Sequence, residues 1–179
     1  IESMGLLAVK IAQMYAIRGD LLGPEKTGKL ATLYEQASPM EPGRFREVLE
    51  REAPPALLES LEHLEEEPLA VASLGQVHRG RLRDGREVVV KAIRPGIERV
   101  IRQDIDLLFT LARWLERNSV DGRRLRPVEI VDDYQHTIFD ELNLQREAAN
   151  TATLRRNFAG SPLLYVPEVY WPFTNEKVL

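Results

Sequence analysis

The stretch that decides the fold is Glu87-Val88-Val89-Val90-Lys91-Ala92-Ile93-Arg94-Pro95. Valines and an isoleucine around a single lysine, closed by a proline that cannot donate to a ladder, spell a β-strand. Strand alternation puts Lys91 on the same face as Val89 and Ile93. Just upstream, Arg83-Asp84-Gly85-Arg86 separates this run from Leu74, Val77 and Leu82. Asp-Gly between two apolar runs is a strong hairpin signal. The spacing predicts an antiparallel sheet with strands near 64–71, 74–82 and 86–94. Taken alone, one lysine after three valines reads as an edge-strand charge that discourages aggregation.

Its surroundings reverse that reading. A strand, a tight small-residue turn, a strand, a hairpin, a strand bearing one lysine and then a long helix bearing a glutamate resemble the small lobe of a protein kinase. In that plan Val89 presses on the adenine and Lys91 reaches the phosphates. The first turn lies in Leu69-Ala70-Val71-Ala72-Ser73-Leu74-Gly75-Gln76-Val77, with one glycine where a kinase has several. Small residues let backbone N–H groups approach phosphate, but alanine lacks much of the φ > 0 freedom of glycine. A stiffer loop, seated differently over the phosphates, is expected.

Three motifs make the resemblance specific. They are Ala70-x-Ala72-Ser73-x-Gly75-Gln76-Val77-His78; Lys10-Ile11-Ala12-Gln13 followed by Arg18-x-Asp20-Leu21-Leu22; and Asp140-Glu141-Leu142-Asn143-Leu144-Gln145-Arg146-Glu147-Ala148-Ala149-Asn150. In this order and spacing they resemble the UbiB family of atypical kinases, over essentially the whole chain. The resemblance implies an α+β fold: a helical N-terminal extension (1–62) folded over the nucleotide pocket of a kinase-like small lobe (63–179) that ends near the hinge. It implies ATP binding with Mg2+, ATPase-type activity rather than protein phosphorylation, and support of ubiquinone biosynthesis. Ubiquinone-precursor lipids or ubiquinone-biosynthesis proteins are the implied partners, and the cytoplasmic face of the inner membrane the implied location of the parent protein. Carried over residue by residue, the nucleotide site comprises Leu69 to Val77, Val89 and Lys91. Glu147 orients the lysine, and Lys10, Gln13, Glu141 and Asn143 form the regulatory set of the extension. The family's first motif has glycine where this chain has Ala12, and the substitution is expected to be tolerated.

The long helix adds a physical argument. Helical spacing returns with Ile97, Ile101, Ile105, Leu108, Leu111, Ala112 and Leu115, and after a break at 119–122 a second helix is predicted from about Pro127 to about Phe158. At roughly 100° per residue, Glu141 falls among Ile130, Tyr134, Ile138, Ala148 and Ala152, and Glu147 nearly opposite among Leu144, Leu154 and Phe158. Each carboxylate is expected inside an apolar face, and a buried charge must find a partner. Lys91 and Lys10 are the candidates: Glu147 with Lys91 and Glu141 with Lys10, or the opposite pairing.

Composition sets the limits. The chain has 179 residues, 44% of them hydrophobic and 29% charged, the balance of a folded globular protein. A net charge of −4 argues against a nucleic-acid partner, because neutralising phosphates needs a surplus of Lys and Arg on one face. With no cysteine, disulfides, thiolate nucleophiles and Cys-type zinc sites are excluded. No run approaches the roughly 18 apolar residues of a membrane span. The first third reads as three helices, with Met4, Leu7, Ile11 and Met14 on one stripe and Pro24 and Pro42 opening the later two. Residues 165–171 read as a further strand.

His63, His78 and His136 lack the neighbours of a metal site, so no metal ligands are assigned. Trp114, Trp171, Phe139 and Phe158 are taken as core. Nothing matches the His-x-Asp or Asp-Phe-Gly motifs of a kinase large lobe, so the chain alone, a piece of something longer, is expected to be inactive. The rival reading is a pseudokinase-like scaffold that binds lipids or biosynthetic enzymes and keeps nucleotide as a structural ligand.

Overall fold

The computed structural model describes residues 38–179, without the side chain of Asp121. They divide into two compact units: Pro39–Pro95 with His136–Leu179, and Gly96–Gln135. The first contains the sheet. Strands β1 (Leu61–Val71), β2 (Gly75–Leu82) and β3 (Glu87–Ile93) lie antiparallel in the order β1-β2-β3. The β2–β3 ladder is regular, pairing Val77 with Lys91, Arg79 with Val89 and Arg81 with Glu87. The β1–β2 ladder slips three times, between Leu61 and Ala70. Gly85, at φ +87°, supplies the left-handed residue that the tight hairpin requires.

One face of the sheet is closed by helices α1 (Arg44–Glu52) and α2 (Pro55–Ser60). Phe45, Val48 and Leu49, spaced at i, i+3 and i+4, join Leu57 of α2 against Leu64, Val90, Ala92 and Val178. The short α2 replaces the joint expected at Pro54–Pro55. Pro55 opens it at the first helical position, where a missing N–H costs no hydrogen bond.

The helix predicted over 127–158 is two helices, α5 (Pro127–Glu141) and α6 (Leu144–Asn157). Asn143 breaks it. It leaves helical geometry at φ −108°, ψ 98°, and its side chain accepts from the amides of Gln145 and Arg146, capping α6. Residues 165–171 pair with no strand among the described residues. Pro167 and Pro172 carry no N–H, and Trp171–Phe173 forms a single 3-10 turn. The last residues do extend the sheet. Lys91 N–H donates to Leu179 O at 2.6 Å, Leu179 N–H returns to Lys91 O at 2.9 Å, and Ile93 N–H donates to Lys177 O at 3.0 Å.

In the second unit, α3 (Ile97–Asn118) buries Ile101, Ile105 and Ala112. The short α4 (Val120–Leu125) occupies the expected break and is capped by Ser119, whose Oγ accepts from Gly122 N–H at 3.1 Å. A Cβ on Gly122 would sit 2.2 Å from Leu115 O, so this crossing admits only glycine. Arg126, left-handed at φ 47°, turns the chain into α5. Among the described residues no helix is long and apolar enough to cross a membrane.

Candidate nucleotide site

Because successive side chains of a strand point to opposite faces, the helix-covered face takes Gln76, His78 and Leu82 of β2 with Val90 and Ala92 of β3, all buried. The other face takes Val77, Arg79 and Arg81 opposite Lys91, Val89 and Glu87. Helices α1 and α2 leave this face open. Val89 is 50% exposed and Leu69 46%. An open cleft of about 680 Å³ lies over its far end, lined by Leu69, Arg79 and Val89 on the sheet side and by Tyr165 and Tyr170 opposite.

Lys91 is held in this face from three directions. Its Nζ donates to both carboxylate oxygens of Glu147 at 2.6 Å. Its backbone N–H and C=O both bond Leu179, and on the other side it lies opposite Val77 of β2. Glu147 sits in the first turn of α6, where the positive end of the helix dipole favours a carboxylate. That turn is anchored by fully buried Leu144 and Ala148, and Leu144 N–H donates to Glu176 O at 3.0 Å. Residues 176–179 therefore brace both partners of the ion pair. Sequence reading missed this role, because pairing between residues 91 and 179 leaves no local signal.

Lys91 is 27% exposed and Glu147 42%. The pair stands at the border of the open face and not inside a packed one. The helical wheel that placed both carboxylates in apolar faces fails because the chain leaves helical geometry at Asn143 and because the apolar residues on the stripe of Glu147 are not all buried. Glu141 is exposed at the end of α5, and Leu154 and Phe158 are exposed as well. Trp114 and Trp171 are also exposed and not core; Phe139 is half-buried. Lys10 and Gln13, and with them the pairing of Lys10 with Glu141, lie outside the described residues. Asn143 holds the cap of α6, one turn ahead of Glu147.

The loop residues separate by face and burial. Ala70 and Ala72 are exposed, Val71, Ser73 and Val77 half-buried, and Leu74, Gly75 and Gln76 buried. The turn closes on itself through Ala72 N–H to Gly75 O at 2.9 Å, and Arg94 N–H holds Leu74 O at 2.9 Å. The amides of Ser73 and Leu74 have no acceptor among the described residues. No residue of the turn has a positive φ. Its alanines are therefore unstrained. The one glycine answers a steric demand, since a Cβ on Gly75 would lie 2.7 Å from Ala92 O on β3. The side chain of Gln76, counted with the nucleotide site from sequence, instead faces the helices, where its Oε1 accepts from Met40 N–H at 2.7 Å.

Burial pulls the pKa of Arg94, beside the turn, below the usual arginine value. At the hairpin tip, hydrogen bonds from Arg86 hold the Asp84 carboxyl below the usual carboxylate range. Among the described residues no group of three acidic or histidine side chains is placed to hold a metal ion.

Residues 32–179 match the ABC1 atypical kinase-like domain. A relative named "Probable protein kinase UbiB" from Cellvibrio japonicus (strain Ueda107) is 52% identical over 99% of this chain and 32% of its own length. A protein of the same name from Pseudomonas aeruginosa (strain LESB58) is 49% identical over 100% of this chain and 34% of its own. The chain thus spans about a third of the length of the curated relatives it matches. Among solved structures, the complex of Rv3197 with erythromycin from Mycobacterium tuberculosis superposes with a TM-score of 0.64 over 97% of this chain and 48% of that one, at 24% identity, a likeness of fold. Helices together with a three-stranded antiparallel sheet, the motif order and these matches agree: the chain belongs to the ABC1 atypical kinase-like family, with the UbiB proteins among its relatives.

Proposed function

We propose that this chain is the nucleotide-gripping portion of a UbiB-type atypical kinase or ATPase. The observation that carries the reading is the Lys91–Glu147 pair at the edge of an open sheet face. A lysine held by a carboxylate yet partly exposed has a fixed position from which to meet a phosphate. The rest of the face suits a nucleotide. Val89 and Leu69 offer exposed apolar surface for a base, and the amides of Ser73 and Leu74 offer donors for phosphate oxygens. Magnesium accompanying ATP is assigned to no described residue, and its role when bound is to neutralise phosphate charge.

ATPase-type turnover in place of protein phosphorylation rests on the likeness to the UbiB proteins, and the alanine-bearing turn, with no left-handed residue, is where this chain departs from glycine-rich kinases. Support of ubiquinone biosynthesis, with precursor lipids or biosynthetic proteins as partners at a membrane, rests on the likeness to the UbiB proteins. The chain by itself carries no kinase large-lobe motif, and it is proposed to turn over no ATP alone.

The test is magnesium-ATP binding by the full-length protein. Lys91→Ala should weaken binding by roughly tenfold or more, which is ~1.4 kcal/mol or above. Unchanged affinity would overturn the reading.

A further inference from the structure

We infer that Gln76 and His78 are positioning residues for the turn at 72–75, acting from the helix-covered face through a hydrogen-bond chain of fixed polarity. The inference rests on the reading of that turn as phosphate-facing. Both side chains are only 2% exposed. Three contacts run in series: Met40 N–H to Gln76 Oε1 at 2.7 Å, Gln76 Nε2 to His78 Nε2 at 2.7 Å, and His78 Nδ1 to Glu65 O at 2.8 Å.

The ends of the chain fix every proton in it. Met40 N–H can only donate and Glu65 C=O can only accept. His78 Nδ1 must therefore carry a hydrogen, Nε2 must accept, and the Gln76 amide must present its NH2 to the ring and its oxygen to Met40. Flipping the amide would set donor against donor at one end and acceptor against acceptor at the other. A second proton on His78 would set its Nε2–H against the Gln76 NH2. One arrangement satisfies all the groups, and no buried side-chain polar atom is left without a partner among the described residues.

The chain crosses three elements at one point. It fastens β1 at Glu65 and the segment entering α1 at Met40 onto β2, immediately behind the turn, and Phe45 of α1 stacks on the His78 ring with centroids 3.9 Å apart. Between Gln76 and His78 lies Val77, whose partner across the ladder is Lys91. Gln76 is also the residue after Gly75, which already touches the β3 backbone. A shift of Gln76 therefore moves the end of the turn and the register beside Lys91 together.

The experiment uses the full-length protein labelled with 15N-histidine. In the wild type, His78 should show a protonated Nδ1 and an unprotonated Nε2; the opposite tautomer, or an imidazolium, overturns the chain. In Gln76→Glu, one carboxylate oxygen still accepts from Met40 while the other faces Nε2, so His78 should become an imidazolium at neutral pH. A ring that stays neutral there counts against the inference.

Hydrogen exchange supplies the coupling test. Gln76→Leu should speed exchange both at Met40 and across Ala72–Gly75, and acceleration at Met40 alone would sink the positioning role. Magnesium-ATP affinity should fall several-fold in Gln76→Leu, and should stay at the wild-type value in a Val48→Ala variant matched for stability loss. Equal falls in both would reduce Gln76 to ordinary packing. If the wild type itself bound no nucleotide, the nucleotide reading would fail, while the tautomer and exchange results would still decide whether the chain positions the turn.

Discussion

The two faces of the sheet are made from alternate residues of the same strands and are finished in opposite ways. On the helix-covered face, Leu64, Val90 and Ala92 are buried with Phe45, Val48, Leu49 and Leu57, and even the polar Gln76 and His78 find their hydrogen-bond partners within the fold. On the other, Val89, Leu69 and Arg79 stay exposed around one lysine held by one glutamate. Burial of apolar area supplies stability in proportion to the surface removed from water. The closed face therefore holds the fold, and the open face is left for a ligand. Substitutions on the two faces should accordingly change different observables.

The largest stability effect belongs to the closed face. Leu49→Ala should destabilise the protein by about 2–5 kcal/mol in denaturant titration, because a fully buried leucine leaves a cavity. Val89→Ala, one residue from Val90 but pointing the other way, should change stability by no more than about 0.5 kcal/mol while weakening nucleotide binding. If Val89→Ala unfolds the protein, the division between the faces is wrong.

Gly75→Ala comes next. Its new methyl meets Ala92 O, so the ladder must shift, at a cost of about 1–3 kcal/mol typical of overpacking. A cost near zero would show that β3 gives way freely.

Asn143→Ala removes the cap of α6 and should cost about 1 kcal/mol. Nucleotide affinity should fall with it, since the first turn of α6 carries Glu147, and aspartate at 143 should restore both. Affinity that holds while stability drops would separate the cap from the site.

The smallest effect is at the hairpin tip. Asp84 accepts from the Arg86 amide at 3.1 Å and from its guanidinium, and its carboxyl titrates below the usual range. A carboxylate depressed by folding stabilises above its unfolded value, and the contribution is lost as pH falls through the lowered folded value. Wild type and Asp84→Asn should therefore differ slightly in stability at neutral pH and converge in acid. A gap that widens in acid would contradict the sign.

Much of this division was legible in the sequence. Three consecutive valines, one lysine and an Asp-Gly turn announced the strands within a few residues of their observed ends, because period-two alternation and hairpin chemistry are local signals. The lysine and its glutamate were named through the motifs. The break at Asn143 was missed because apolar spacing continues across it, although an asparagine four residues before the key glutamate is itself a cap signal. Gln76 was counted with the nucleotide site through its motif, although strand alternation already set its side chain on the face opposite to that of Val77. The partner of residues 176–179 could not be read locally, since the pairing joins residues nearly ninety positions apart.

The claim that Lys91 and Glu147 act as one grip on the open face is tested most directly by a double-mutant cycle on magnesium-ATP affinity in the full-length protein. Lys91→Ala should lower affinity strongly, Glu147→Ala should lower it less, and the double variant should be no worse than Lys91→Ala alone, because the glutamate works only through the lysine. Losses that simply add would contradict the account.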